Sequence, residues 1–232
     1  MTTTHTGAFL SAPRPWHSSP ILTPQVLEPL YDINWDFLTM LTRVPRQWQA
    51  ARVSSRLPCP AYVELVSMDP LRRREAARVP FTLYSARFLD DRYWQQIASS
   101  PTVLLNENPG SDEARHYLLE FARLALFFAW HLATANPPAA RLVMGMPGET
   151  VNVFREMSPT KVRQIAIDRA ELLVPRWADR TSFWTRLLRG SSDGAGSFAL
   201  DAGMIGIQMI AGEMVASAAL REAERRKHKR TD

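Results

Sequence analysis

Two stretches of this chain repeat one another, and this internal repeat limits the fold more than any other feature of the sequence. Residues 68–94 read MDPLRRREAARVPFTLYSARFLDDRYW, and residues 157–184 read MSPTKVRQIAIDRAELLVPRWADRTSFW. With one inserted residue they share eight identities, among them Met68 with Met157 and Trp94 with Trp184. Repeated units bury their apolar faces against each other because neither has a sufficient core alone. The repeat therefore predicts two similar units packed together.

The spacing of apolar residues predicts that the fold is mainly α. Leu30, Ile33, Phe37, Leu38 and Leu41 recur every three or four residues, which is typical of an amphipathic helix. We expect two similar helical repeats packed as a pseudo-twofold dimer, together with a long C-terminal helix. The predicted parts are a disordered N-terminal arm (1–24), a first repeat (25–98), a second repeat (112–190), a linker (190–197) and a C-terminal packing helix (198–226) with a basic tail to 232.

The composition favours a cytoplasmic globular protein and limits the available chemistry. The 232 residues include one cysteine, Cys59, so neither an internal disulfide nor a Cys-x-x-Cys metal site can form. We interpret Cys59, which lies between two prolines, as a small apolar filler. The N-terminus lacks a secretory signal, and no window holds about 18 uncharged apolar residues, so we expect no membrane-spanning helix.

The sequence contains no motif typical of catalysis, and we predict neither a metal nor a cofactor. Two of its five histidines, His116 and His131, fall in one predicted helix, but no metal-binding spacing joins them. Phosphate-binding loops are also missing from the sequence. Asp90 and Asp179 recur near helix starts, where we interpret them as helix caps. We therefore expect that the protein is not an enzyme.

Basic residues on two predicted helices are candidates for DNA contact. Residues 149–166 can form a compact helix-turn-helix whose second helix carries Lys161 and Arg163, and Arg suits guanine in the major groove. The equivalent helix of the first repeat carries Arg72, Arg73 and Arg74. We expect Lys161 and Arg163 to be exposed. A solvated helix face with ordinary surface charges is an equally good interpretation.

Aromatic and basic residues near the end of each repeat are predicted to be packing anchors. Trp94 and Trp184 should be buried, and the stems of Arg87 and Arg176 should lie over the rings of the residues that follow them. These four residues are expected to be structural anchors.

The segment Tyr31–Asn34, which reads YDIN and leads into an apolar helix, resembles the opening of the flagellar master-regulator subunit family of the FlhD type. Residues 140–177 resemble the rest of that family, with Gly145, Pro159 and the basic-aromatic pair at 176–177 in matching places. The resemblance implies small helical units that dimerise, join a zinc-carrying, FlhC-like partner and activate flagellar promoters. In this chain a tandem fusion would replace the homodimer. The first repeat lacks the family's glycine turn, and the C-terminal helix is an addition.

Three functions remain open at this point. The first is a transcriptional regulator of this type, an activator that works through protein partners. Whether it also binds DNA directly is left open. The second is a regulatory adaptor for a motility or secretion system that acts through protein–protein contacts without DNA. The third is an enzyme with an unrecognised site. The C-terminal helix is a candidate surface for homo-oligomer formation.

Overall fold

A computed structural model describes residues 14–44, 57–101, 112–190 and 196–228, and it confirms the mainly α fold. The first repeat opens with one long helix. Two short helices follow, and the repeat closes with a two-residue strand and a further helix. These elements are α1 (Pro24–Arg43), α2 (Cys59–Ser67), α3 (Pro70–Ala76), β1 (Tyr84–Ser85) and α4 (Asp91–Ser99).

The second repeat follows the same order, with one further short helix after its long one. Its elements are α5 (Glu113–Ala135), α6 (Pro137–Met144), α7 (Gly148–Glu156), α8 (Pro159–Asp168), a 3-10 turn (Ala170–Leu172), β2 (Val174–Pro175) and α9 (Thr181–Gly190). The chain then continues as α10 (Gly196–His228). The predicted linker lies mainly outside the described residues, as does the end of the basic tail.

The short helices of the two repeats begin in the same way. Each of α3 and α8 has a proline at its first turn and a polar cap before it, since Asp69 accepts from the backbone N–H of Leu71 and Ser158 from that of Lys161. Such a cap satisfies backbone donors that have no partner inside the helix. The equivalence of these helices therefore has a physical basis in their capping residues.

The closing helix of each repeat packs against a short helix of the other repeat. Helix α4 packs on α7, and α9 packs on α2, while the long helices α1 and α5 lie against each other in the core. The strands β1 and β2 pair antiparallel, with Tyr84 opposite Pro175 and Ser85 opposite Val174. These exchanged contacts support the predicted pseudo-twofold arrangement.

The strands also correct the alignment that the sequence suggested. The indole of Trp94 donates to the carbonyl of Ala86 at 3.2 Å, and that of Trp184 donates to the carbonyl of Arg176 at 2.9 Å. Both bonds span eight residues, so Ala86 corresponds to Arg176, and Arg87 corresponds to Trp177. The latter two share a left-handed backbone, with φ of 53° and 51°. The extra residue therefore comes before β2, not just before Trp184.

This shift removes three of the proposed pairs, one of which is Arg87 with Arg176. Leu83 matches the buried Leu173 and not Leu172, which is only half-buried. Asp90 caps α4 by accepting from the N–H of Tyr93, whereas Asp179 lies before the start of α9 and pairs with Arg180. The expectation that both aspartates cap helices is therefore right for Asp90 alone.

Residues 14–23 are ordered, so the predicted disordered arm is wrong for this part; residues 1–13 lie outside the described residues. Trp16 is 4% exposed, and its indole donates to the hydroxyl of Tyr31 at 3.0 Å. The ring nitrogen Nε2 of His17 lies 3.0 Å from the same hydroxyl. One buried aromatic anchor therefore holds a segment whose Pro/Ser-rich composition predicted disorder.

Helix α10 packs on α9 and α6, and two of its glycines make this close approach feasible. A Cβ at Gly203 would lie 2.4 Å from the Trp16 ring, and one at Gly206 would lie 2.1 Å from the Phe81 ring. Only glycine allows a helix to approach buried rings this closely. The prediction of a C-terminal packing helix is consistent with this contact.

Candidate nucleic-acid and protein interface

The YDIN segment that carries the family resemblance has a structural role. Asn34 is fully buried, and its side-chain amide donates to the carbonyls of Ala77 and Phe81 at 3.2 and 2.8 Å. Its side-chain oxygen accepts from the N–H of Leu83 at 2.9 Å. A single buried amide thus fixes the loop between α3 and β1, since buried backbone groups need partners.

The three arginines of α3 are held by contacts within the chain. Arg72 lies 3.5 Å from the Glu64 carboxylate, and Arg73 donates to the carbonyl of Met68 at 3.1 Å. Arg74 pairs at 3.2 Å with Asp32, the acidic residue of the YDIN segment. Burial lowers the pKa of Arg73. Of the three, Arg74 has the most exposed side chain, at 63%, compared with 35% for Arg72.

The second pair of predicted DNA contacts is divided by the fold. Arg163 is exposed, as expected. Lys161 is only 7% exposed, and its ammonium donates to the carbonyl oxygen and to the hydroxyl of Ser100. The expectation that Lys161 is exposed is therefore wrong, because the end of α4 from the other repeat covers it. The described contacts of the α3 arginines and of Lys161 involve different neighbours, and they do not form one basic surface.

The predicted aromatic anchors are confirmed as buried, but their basic neighbours differ. Trp94 and Trp184 are both inaccessible to solvent. Arg176 is buried, donates to the carbonyl of Met144 and lies 5.5 Å from the Trp177 ring, so it is an anchor of the expected kind.

Burial lowers the pKa of Arg176 to about 10, and the charge of Glu213 opposes this shift. Arg87 is instead exposed and pairs with Asp90 at 3.2 Å. Its guanidinium lies 4.6 Å from the ring of Tyr93, not over Phe88. Only one of the two predicted arginine anchors is therefore buried.

Helix α10 holds the body of the protein with one face. Glu213 accepts from the Trp177 indole at 2.5 Å, and near the C-terminal end Arg221 lies 3.7 Å from Asp91 and Glu224 lies 2.5 Å from Arg92. These contacts follow the glycine contacts along the helix, so one side of α10 is in contact with the body from residue 203 to residue 224.

The other face of α10 is apolar and exposed. An 18-residue window within Asp201–Glu224 has a mean hydropathy of 1.4, and 17% of that window is buried. Met204 and Val215, eleven residues apart and so on one side of the helix, are exposed by 43% and 70%. By length and composition this helix and α5 can each cross a membrane, which the sequence did not lead us to expect, although half of α5 lies buried in the protein. Exposed apolar surface of this kind is typical of a contact with another molecule.

The metal-binding potential of the described residues is limited. They contain no group of three or more His, Cys, Asp or Glu side chains close enough to hold a metal ion. His116 and His131 are exposed on the surface of α5. Cys59 is also exposed, at the start of α2, so its interpretation as an apolar filler is wrong.

Comparison of the chain with protein-family models, curated proteins and solved structures finds no match. The resemblance to the flagellar master-regulator subunit therefore stays a prediction that rests on the residues described above.

Proposed function

We propose that this protein is a non-enzymatic regulator that acts by binding another protein through its C-terminal helix. The observation that carries the proposal is the exposed apolar face of α10 around Met204 and Val215. The opposite face of the same helix is fixed to the body by Gly203, Gly206 and Glu213, which presents the apolar face in a defined orientation. A rigid apolar helix face suits a partner that offers a groove or a second helix.

The resemblance supplies the specific form of the proposal, namely an activator of flagellar transcription that joins a zinc-carrying, FlhC-like partner in the cytoplasm. The contacts of the α3 arginines and of Lys161 favour a protein partner over direct reading of DNA, because these predicted DNA contacts are engaged within the chain. The adaptor and the regulator differ only in whether the partner brings promoter DNA.

Affinity purification of full-length variants from the native host tests the proposal. Val215→Glu places a charge in the apolar face of α10, and Val63→Glu makes the same change at a valine of α2 that is exposed by 61%. We expect one chain to co-purify with wild type and with Val63→Glu, and to be lost with Val215→Glu. Equal capture by all three proteins would contradict the proposal.

Lipid is the competing occupant of the same apolar face. Flotation of the wild-type protein with anionic vesicles distinguishes the two, because a helix face that serves a protein partner should not bring the chain to the lipid fraction. Flotation that Val215→Glu abolishes, without any co-purified chain, would assign α10 to a membrane instead.

Direct DNA binding is a second candidate, favoured by the exposure of Arg74 and Arg163. Each lost phosphate contact lowers the slope of log affinity against log salt by about 0.9. Arg163→Ala should then flatten that slope in titrations with promoter fragments, while Lys161→Ala should not. If the wild-type protein binds no promoter fragment at low salt, direct DNA binding is refuted, and any contact with the promoter is made by the partner.

A further inference from the structure

Lys161 is a buried cation that has no ionic partner among the residues that the structure describes. It is only 7% exposed, and its ammonium has two acceptors, the carbonyl and the hydroxyl of Ser100, the latter at 3.0 Å. Across the described residues no carboxylate lies within 4.0 Å of it. An ammonium has three donors, so one is left over, and a buried charge without a counter-charge is unfavourable. This lysine is therefore poised to receive an anionic group.

The leftover donor lies beside a cleft between the two repeats. The cleft has a volume of about 470 Å³ and is open to solvent. Its lining combines apolar side chains with polar ones and comes from α4, α7 and the start of α8: Gln95, Ala98, Ser99, Val153, Glu156, Met157, Ser158 and Lys161. The positive end of the α8 dipole adds to the attraction that the lysine has for a negative charge.

The first repeat shows what neutralises the cation at the equivalent position. Helices α2 and α7 are related by 89 positions, and each follows a proline and ends at a methionine. The same offset relates Arg72 to Lys161. Arg72 lies 3.5 Å from one oxygen of Glu64, and Arg189 of α9 lies 3.8 Å from the other. In the first repeat, therefore, the carboxylate of Glu64 pairs with both cations.

In the second repeat that carboxylate is replaced. Val153 stands where the first repeat has Glu64, and Ser99 of α4 stands where it has Arg189. The cation has been kept while its internal partner has been lost, and a cleft lies beside the vacated position. The chain itself thus provides the template for the missing group, which is the carboxylate of a glutamate-like side chain.

We propose that the cleft between α4, α7 and α8 binds an acidic side chain of a partner protein, with Lys161 as its counter-charge. Val153, Met157 and Ala98 supply apolar contacts for the residues beside it. Glu156 lies at the rim and repels further negative charge, so the segment that fits carries one acidic residue among apolar ones. This inference rests on the proposed function, because it names the chemistry of the partner that a protein-binding regulator would recognise.

The test uses the full-length protein and two capped peptides, Leu-Glu-Leu and Leu-Gln-Leu, titrated while backbone amide shifts are followed by NMR. We expect the glutamate peptide to shift the amides of Ser99 and Ser158 and to bind at least about tenfold more tightly than the glutamine peptide, since a charged hydrogen bond is roughly twice as strong as a neutral one. Acetate alone should bind more weakly than the glutamate peptide. Acetate binding of equal strength would overturn the assignment to a protein side chain.

Three variants separate a carboxylate site from a structural lysine. Lys161→Met should abolish the preference for glutamate, while Lys161→Arg should keep it. Val153→Glu rebuilds the internal pair of the first repeat, so it should block the peptide and leave the fold intact, as measured by circular dichroism. Equal binding of both peptides, or an unchanged preference in Lys161→Met or Val153→Glu, would refute the inference.

The outcome is independent of the test on α10. Partner capture that depends on Val215 but not on Lys161 would refute this site and leave the proposed function standing. Peptide binding in the cleft with no partner captured through Val215 would support this site and refute the proposed role of α10.

Discussion

Replacing Gly206 by alanine gives the sharpest test of how α10 is held. The added Cβ would lie 2.1 Å from Cζ of Phe81, a residue that is fully buried. Phe81 cannot move aside easily, because the rings of Trp177 and Phe183 pack against it with centroids at 5.5 and 6.2 Å. The helix itself must therefore shift, which strains its neighbouring contacts with the body.

The magnitude follows from a matched pair of substitutions. In a helix interior, glycine to alanine is worth about 1 kcal/mol of stabilisation through backbone propensity. Gly212→Ala should realise that gain, because nothing lies within 4 Å of the position of its Cβ. Gly206→Ala gains the same amount and loses about 1–3 kcal/mol to overpacking. The propensity contribution cancels between the two variants, so Gly206→Ala should be less stable than Gly212→Ala by about 1–3 kcal/mol.

Thermal and urea unfolding measure this difference directly. For a chain of this length about 1 kcal/mol corresponds to roughly 2–4 °C in Tm. We expect Gly212→Ala to melt at or above wild type and Gly206→Ala to melt below Gly212→Ala by several degrees. Equal melting temperatures for the two variants would mean that α10 does not lie against Phe81, and the orientation of its apolar face would lose its basis.

Three further outcomes follow from the buried contacts. Trp94→Ala and Trp184→Ala should each lower the free energy of unfolding by about 3–5 kcal/mol in urea titrations, and wild-type behaviour of both would show that these rings are not core anchors. Asn34→Ala leaves the N–H of Leu83 without its acceptor and should cost about 1–3 kcal/mol, whereas a loss near zero would contradict the role of this amide. Desolvation, followed by the charges of two nearby arginines, lowers the pKa of His17. The stability that depends on neutral His17 should be present above about pH 6.5 and decline as the pH falls below it, and His17→Gln should remove this part of the pH dependence; identical pH profiles for the two proteins would contradict it.

The helical architecture was predictable because it depends on local signals. Proline at the first turn and a polar cap mark the starts of α3 and α8, and apolar spacing marks α1 and α5. The alignment of the repeats was harder, because identity between Leu83 and Leu172 favoured one register while the pairing of β1 with β2 fixes another. Hydrogen bonds between distant strands leave no signal in the spacing of either one.

The errors at the candidate site come from contacts between distant segments. Lys161 follows a helix start and appears solvent-facing in sequence, but Ser100 from the other repeat covers it. Trp16 lies in a segment without periodicity, so its anchoring to Tyr31 was also hidden. The glycines of α10 were read as small packing residues, but their particular partners required the structure.

The exchange of closing helices has a consequence for the nascent chain on the ribosome. Helix α2 packs against α9, which is synthesised only after translation has advanced by ~120 residues, from Ser67 to Gly190. At about 5–20 residues per second that interval lasts roughly 6–24 s. The first repeat is complete once α4 has been made, but the surface of α2 that α9 will cover stays exposed to chaperones and to other nascent chains until the end of this interval. A translation stop at residue 180 would release a polypeptide that keeps α1 and α5 but lacks α9. The surface of α2 that α9 covers would then stay exposed.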